Sequence, residues 1–89
     1  MAKEKVYLYL VMAIRTPQFQ PSVIDAHHTF LDQLRQKGKL GLAGPFIDKS
    51  GGAYLIKAVS LQEAQTLAFS DPLHTTLSSA VTVYEWNAE

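Results

Sequence analysis

The sequence of 89 residues predicts a single α+β domain with the element order β-α-β-β-α-β, and three observations lead to that prediction. Two stretches carry apolar side chains at helical spacing, and each begins near a serine of the type that caps helices, Ser22 and Ser60. Other short stretches are rich in β-branched and aromatic residues, as strands are. Turn residues separate these stretches, and the chain contains no internal repeat, linker or low-complexity segment.

The composition argues against several classes of function. Eight basic and eight acidic residues balance without a Lys/Arg cluster, so we expect no nucleic-acid partner. The longest apolar run, residues 6–14, is far shorter than the ~20 residues of a membrane helix, so we expect no membrane partner. The chain has no cysteine and therefore no disulfide, thiol nucleophile or zinc-thiolate site. No signal peptide is apparent at the start of the chain, and we expect a cytoplasmic protein.

The first strand is predicted over residues 5–15, and both of its faces are apolar. One face would carry Val6, Leu8, Leu10, Met12 and Ile14, and the other Tyr7, Tyr9, Val11 and Ala13. Helices would cover only one face, so we expect a second copy of the chain to cover the tyrosine face. We expect Tyr84 and Trp86 of the last strand to join that interface, because aromatic residues are enriched at interfaces. A stacking platform for single-stranded nucleic acid is the less favoured alternative at zero net charge.

The first helix is predicted from an N-cap at Ser22, with Asp25 completing an S-x-x-D pattern, to Lys37, with Gly38 as its stop. At about 100° per residue, Val23, Phe30, Leu31 and Leu34 form one apolar stripe. His27 falls at about 40°, inside that stripe, whereas Asp32 falls on the opposite side. A titratable ring that points into a small protein needs a hydrogen-bond partner or a functional role.

A hairpin is predicted next. Residues 40–43 read as a short strand that ends at Gly44-Pro45, and residues 48–52 have the composition of a hairpin turn. Residues 53–59 read as the returning strand.

A second helix and a final strand complete the chain. Residues 60–63 form a capping box, and the helix that follows carries Leu61, Ala64, Leu67 and Ala68 on its inner face. Asp71 is predicted to cap a short third helix that has Pro72 at its first position and ends near Leu77. Residues 80–86 alternate as the last strand.

This order is the split β-α-β, or ferredoxin-like, arrangement. Its usual sheet is antiparallel with strand order 4-1-3-2, and both helices lie on one face. The topology brings Arg15 at the end of the first strand, His27 near the start of the first helix, the Gly44-Pro45 corner and Asp71 to the same edge. We therefore expect a site for a small-molecule ligand at that edge.

Residues 27–45 read H-x-x-F-L-x-x-L-x-x-x-G-x-L-x-x-A-G-P and resemble the YciI-like (YCII-related) proteins. The paired glycines of the hairpin, the S-x-x-E-A opening of the second helix and the later Asp-Pro extend the resemblance over residues 6–86. It implies a ferredoxin-like fold that forms dimers of the α+β-barrel type. It also implies an active-site pair, here His27 and Asp71, and lyase-type or dehydrohalogenase-like action on small aromatic or cyclic compounds.

One position departs from the family pattern. Many relatives have an arginine three residues before the histidine, and this chain has Ile24 there. Either Arg15 binds an anionic substrate instead, or the ligand is less charged.

His27 and Asp71 each have a structural and a functional interpretation. His27 is either a core histidine satisfied by a neighbour, or a general base kept neutral by the nearby helix N-terminus. Asp71 caps a helix, orients the His27 ring, or does both at once.

The remaining polar candidates suggest substrate contacts rather than a metal. Adjacent helical residues do not face each other, so His27 and His28 cannot easily share an ion, and no H-E-x-x-H pattern is present. We expect neither metal nor organic cofactor. His74 follows Asp71 by three residues and is expected to line the cleft, and Gly44 with Pro45 would let a ligand approach the backbone closely.

Two functions remain open at this point. One is a cofactor-independent enzyme that transfers a proton on a small organic molecule, with His27 as base, Asp71 as its orienter and Arg15 as an electrostatic stabiliser. The other is a non-catalytic ligand-binding or interaction module that uses the same cleft; a purely structural dimer would have no cleft there. A His27 ring that is open to a pocket and bonded to Asp71 favours the enzyme, and a sealed ring bonded to backbone favours the module.

Overall fold

The structure of the chain is a computed structural model that describes residues 5–88. Along this part of the chain the elements are β1 (Tyr7–Arg15), α1 (Val23–Gln36), β2 (Leu40–Pro45), β3 (Gly51–Ala58), α2 (Leu61–Ala68), α3 (Pro72–Thr75) and β4 (Ser79–Trp86). The predicted β-α-β-β-α-β order is confirmed, with the short α3 inserted before β4 where the Asp-Pro signal predicted it. No helix within residues 5–88 is long and apolar enough to cross a membrane.

The four strands form one antiparallel sheet with the order β2-β3-β1-β4, which is the predicted order counted from the other edge. The central strand β1 pairs with β3 on one side and with β4 on the other. The register of β2 shifts by one residue between its pairs Leu40–Ile56 and Ala43–Tyr54, as at a β-bulge. The end of β2, from Ala43 to Pro45, pairs regularly with β3 beside the predicted site edge.

The helices cover one face of the sheet and enclose the core. The predicted stripe of α1, namely Val23, Phe30, Leu31 and Leu34, is buried throughout. Tyr9 and Val11 of β1 meet this stripe, together with Ile56 of β3 and Ala64 of α2. Helical periodicity of the sequence was sufficient to predict which side of α1 faces inward.

The predicted grouping of the tyrosines is wrong. Tyr84 pairs with Leu10 and Trp86 pairs with Leu8, and directly paired residues share a face of the sheet. Tyr9 lies on the opposite face, beneath the helices, and is 3% exposed. Alternation predicts which residues of one strand share a face, but the register between strands decides which faces combine. The uncovered side, here called the outer face, consists of Leu8, Leu10, Met12, Leu55, Tyr84 and Trp86.

The helix ends agree with the sequence signals except at Ser22. Ser22 has helical backbone angles and makes no side-chain cap, so the predicted S-x-x-D cap is wrong; the Val23 N–H donates to the Gln20 carbonyl instead. Gly38 stops α1 in a left-handed conformation with φ of 71°, as predicted. The Ser60 hydroxyl caps α2 by accepting from the Glu63 N–H at 3.1 Å, as the capping box predicted.

Candidate active site

A cavity of about 620 Å³ opens at the edge where β1 ends, α1 begins and the β2–β3 hairpin lies. The topology therefore brings Arg15, His27, Gly44 and Pro45 to a common cavity. The other lining residues are Ala13, Phe19, Ile24, His28, Leu31, Asp32, Arg35, Ala43, Gly51, Gly52, Ala53, Tyr54, Leu73 and Ser79.

His27 lies between this cavity and the buried carboxylate of Asp71. Its Nδ1 atom is 3.0 Å from Oδ1 and 2.9 Å from Oδ2 of Asp71. The His27 side chain is 14% exposed and borders the cavity, whereas the Asp71 side chain is fully buried. The His27 ring is therefore open to a pocket and bonded to Asp71, and it is not sealed in the core with a backbone partner.

Two further donors hold the Asp71 carboxylate in place. The N–H of Leu73 donates to Oδ1 at 2.9 Å, and the hydroxyl of Tyr54 donates to Oδ2 at 3.0 Å. Asp71 is thus the predicted N-cap of α3 and the partner of His27 at the same time. With every oxygen bonded, this buried carboxylate is fully satisfied.

Tyr54 determines the direction of these hydrogen bonds. Burial raises the pKa of the Tyr54 phenol far above its usual value, and the neighbouring Asp71 carboxyl raises it further. The phenol therefore keeps its proton and donates it to Asp71, as the Leu73 N–H does. An ionised carboxylate only accepts hydrogen bonds, so His27 donates to Asp71 through Nδ1, and the lone pair of neutral imidazole is then on Nε2. Within residues 5–88, Nε2 makes no hydrogen bond.

Aromatic packing fixes the plane of the His27 ring. Its centroid lies 6.0 Å from that of Tyr54 and 6.4 Å from that of Phe30, and these two rings pack edge to face with each other. Tyr54 was not among the site residues that the sequence predicted. A signal was present, because Tyr54 alternates with the apolar Ile56 and Ala58 on an inward face, and a buried tyrosine hydroxyl needs a partner.

Two arginines border the cavity in different electrostatic states. The Arg15 guanidinium stacks over the Phe19 ring, with its central carbon 4.2 Å from the ring centroid. Arg35 forms an ion pair with Asp32, one turn earlier on α1. The sequence predicted Arg15 at the site but not Arg35 or Asp32, because a helical wheel does not show which flank of α1 borders an opening. Phe19, which was not predicted either, lies in the loop before α1.

The remaining histidines are placed differently. His28 is exposed and borders the cavity, with its ring centroid 6.0 Å from that of His27. His74 is not among the lining residues, and its ring packs against Phe69 with 4.7 Å between centroids. The expectation for His74 assumed helical spacing from Asp71, but Asp71 has extended backbone angles, so that spacing does not apply. Within residues 5–88 no three His, Asp or Glu side chains converge as metal ligands would.

Two glycines of the hairpin are required by close backbone approach. A Cβ on Gly51 would lie 2.0 Å from the Ala13 carbonyl oxygen, and one on Gly52 would lie 2.8 Å from the Gly44 carbonyl oxygen. A Cβ on Gly44 itself would meet nothing within 4 Å. The sequence predicted these glycines as turn residues, and the structure assigns Gly51 and Gly52 to strand pairing at the cavity wall.

Comparison with known proteins gives a family and a fold. The model of the YCII-related domain matches residues 7–87. The uncharacterized protein YjpA of Bacillus subtilis (strain 168) is 42% identical over 81 residues, which are 91% of this chain and 95% of the relative.

Two solved structures share the fold. A 5-chloro-2-hydroxyhydroquinone dehydrochlorinase from Burkholderia phenoliruptrix AC1100, in complex with 2,5-dihydroxybenzoquinone, matches with a TM-score of 0.72 and 24% identity, over 92% of this chain and 95% of that one. A hydroxynitrile lyase from Passiflora edulis matches with a TM-score of 0.50 and 14% identity, over 98% of each chain. At these identities the likeness shows the fold alone, an α+β arrangement with a four-stranded antiparallel sheet.

Proposed function

The chain belongs to the YCII-related domain family, and on that premise we propose that it is a lyase-type acid–base enzyme in which His27 takes a proton from a small organic molecule. The observation that supports this most directly is the position of the His27 ring. One nitrogen is bonded to a buried carboxylate, and the other makes no hydrogen bond to the described residues, 5–88, on a ring that borders a cavity. A general base needs this combination of fixed orientation and access to substrate.

Asp71 would act through His27. A carboxylate at Nδ1 keeps the proton on that nitrogen, holds the ring in one orientation and stabilises the imidazolium that forms during proton transfer. Because Leu73 and Tyr54 hold the carboxylate itself, the pair is organised before substrate binds. Pre-organisation of this kind lowers the reorganisation needed in the transition state.

The names of the two structural relatives support elimination chemistry. One is a dehydrochlorinase and the other a hydroxynitrile lyase. In the step proposed for this chain, Nε2 takes a proton from carbon, and the electron pair of the broken C–H bond forms a new π bond. The bond to a leaving group on the adjacent atom breaks, and the leaving group departs with its electrons. The imidazolium then returns its proton to the leaving group or to water.

Solvent deuterium exchange tests the base without knowledge of the leaving group. Small cyclic carbon acids, such as cyclic ketones and chlorinated hydroquinones, are incubated with the protein in D₂O and followed by proton NMR. We expect the natural sequence to accelerate exchange for at least one compound, and His27→Gln to slow it by about 10²–10⁴-fold, the usual contribution of a general base.

His28→Gln is the matched control. His28 also borders the cavity but has no carboxylate partner within residues 5–88, so its replacement should change the rate by less than about threefold, the spread of single-interaction effects at exposed positions. A folded His27→Gln variant with an undiminished rate would contradict the proposal. Ligand binding without exchange by the natural sequence would favour the non-catalytic module instead.

We also propose that two copies of the chain associate through the outer face. Tyr84 is 50% exposed and Trp86 is 47% exposed on that face, and Leu42 beside them is 82% exposed. Leu10, Leu42, Leu55 and Trp86 together border a shallow apolar depression. A contiguous patch of exposed apolar residues typically marks a surface that binds another molecule.

A further inference from the structure

Arg15 differs from the other cation of the cavity in having no carboxylate partner within residues 5–88. The charge of Arg35 is balanced by Asp32, with which it forms an ion pair. The Asp71 carboxylate is fully buried behind the His27 ring, pairs with His27, Tyr54 and Leu73, and forms no ion pair with Arg15. The end of the cavity near Arg15 is therefore its electropositive end.

The Arg15 guanidinium is held in place before any ligand arrives. It stacks on the Phe19 ring at 4.2 Å, and the backbone N–H of Arg15 donates to the Ser50 carbonyl at 2.9 Å. A planar guanidinium that is already stacked loses little conformational freedom when it binds an oxyanion. Stacking also leaves the N–H edge of the group available for hydrogen bonds.

Ser79 supplies a second polar group at the Arg15 end of the cavity. It is paired directly with Arg15 in the β1–β4 register, so the two side chains lie on the same face of the sheet. Ser79 is 5% exposed and borders the cavity, yet its hydroxyl makes no hydrogen bond within residues 5–88. No buried side-chain polar atom within residues 5–88 lacks a partner, so the unbonded hydroxyl of Ser79 is open to the cavity and can donate to a group inside it.

We propose that Arg15 and Ser79 form an anion-binding subsite, and that the substrate is a small organic anion with one carboxylate, enolate or phenolate group on an apolar body. Phe19, Ile24 and Leu31 provide the apolar wall for that body. The cavity volume of about 620 Å³ is that of a small-molecule site. Ile24 replaces the arginine of many relatives and left two alternatives, a less charged ligand or an anion bound by Arg15. The proposed subsite corresponds to the second.

This inference rests on the proposed function and extends it to the class of substrate. Proton removal by His27 places negative charge on the substrate, and a fixed cation with a hydroxyl donor stabilises charge that develops at the opposite end of a conjugated body.

Binding of benzoate and benzamide, measured by isothermal titration calorimetry, tests the subsite without any turnover. The two probes have the same ring and differ in charge. We expect benzoate to bind the natural sequence at least about tenfold more tightly than benzamide, since a charge-assisted hydrogen bond contributes on that scale. Affinity for benzoate should fall as salt is raised, and affinity for benzamide should not.

Arg15→Gln should lower the affinity for benzoate about tenfold and leave that for benzamide unchanged, because a neutral amide loses the charge but keeps donors. Arg35→Gln is the matched control and should change benzoate affinity less than about threefold, because its charge is already paired. Ser79→Ala should weaken benzoate in the same direction as Arg15→Gln. Arg15→Lys retains the charge and should keep most of the preference, which covers the case in which the glutamine variant folds poorly.

Equal affinity for the two probes, no binding of either, or an equal loss in the Arg15 and Arg35 variants would each overturn the subsite. The His27→Gln variant should bind benzoate as the natural sequence does. Loss of deuterium exchange in that variant with intact benzoate binding supports both proposals. Intact exchange chemistry without a preference for the anion rejects the subsite alone, and an anion preference without exchange rejects only the catalytic proposal.

Discussion

Tyr54→Phe is the most incisive single change, because it removes one oxygen atom from the support of the His27–Asp71 pair. The Tyr54 hydroxyl donates to Oδ2 of Asp71 at 3.0 Å inside the core, and phenylalanine retains the ring that packs on His27 and Phe30. Asp71 keeps its bonds to Leu73 and His27. The variant therefore tests one hydrogen bond and little else.

The expected loss of stability follows from the charge and burial of the acceptor. Hydrogen bonds to charged groups contribute about 1.5–3 kcal/mol, and Asp71 is completely buried, so water cannot replace the lost donor. A loss of about 2 kcal/mol is a sizeable part of the ~5–15 kcal/mol that stabilises a typical domain. For a chain of this length it lowers Tm by about 8–16 °C.

The pH dependence of this loss has a definite sign. Burial, with the Asp71 carboxyl, raises the pKa of the Tyr54 phenol above its usual value near 10. Above pH ~10 the unfolded chain gives up this proton while the folded chain keeps it, so the unfolded state binds fewer protons and the free energy of unfolding falls as pH rises. The contribution of Tyr54 is fully present below pH ~10 and is lost above it, by about 1.4 kcal/mol at pH 11. The difference between Tyr54→Phe and the natural sequence should therefore shrink from pH 8 to pH 11.

Urea denaturation at both pH values, followed by circular dichroism, measures this difference directly. Tyr84→Phe is the matched control, because Tyr84 is half-exposed on the outer face and its hydroxyl has no bond within residues 5–88; its effect should stay within ~0.5 kcal/mol at either pH. Deuterium exchange should slow in Tyr54→Phe by less than in His27→Gln, since Tyr54 acts through Asp71. A stability equal to that of the natural sequence at pH 8, or a difference that grows toward pH 11, would refute the hydrogen-bond argument.

The other expectations concern the hairpin and the outer face. Gly51→Ala should destabilise the chain by ~1–3 kcal/mol or more in thermal denaturation, because the new Cβ would lie 2.0 Å from the Ala13 carbonyl oxygen. Gly44→Ala has open space around the new Cβ and should change stability by less than ~0.5 kcal/mol. Equal effects of the two substitutions would contradict the placement of the hairpin. Light scattering at micromolar concentration should give a dimer for the natural sequence and a shift toward monomer for Trp86→Lys, which places a charge among the exposed apolar residues of the outer face. A monomeric natural sequence at that concentration would contradict assembly through this face.

Local signals in the sequence were sufficient to predict the helices and strands and some of the residues of the candidate site. Helical periodicity predicted the buried stripe of α1, and Ser60 and the Asp71-Pro72 pair predicted the N-caps of α2 and α3. These features depend on residues within a few positions of one another. The topology deduced from element order then predicted that Arg15, His27 and the Gly44-Pro45 corner lie at one edge, and all of them border the cavity.

The tertiary structure decided which groups contact one another across that edge, apart from the His27–Asp71 pair, which the family resemblance implied. The bond of Tyr54 to Asp71 spans 17 residues and that of His27 to Asp71 spans 44, and neither strand alternation nor a helical wheel carries information over such separations. The register of β1 with β4 moved Tyr84 to the face opposite Tyr9 and placed Ser79 beside Arg15. Sequence patterns give the periodicity of each helix or strand separately. The relative rotation and register of these elements arise from packing of the whole core. That packing determined the hydrogen bonds of His27, which the sequence had placed on the inner face of α1.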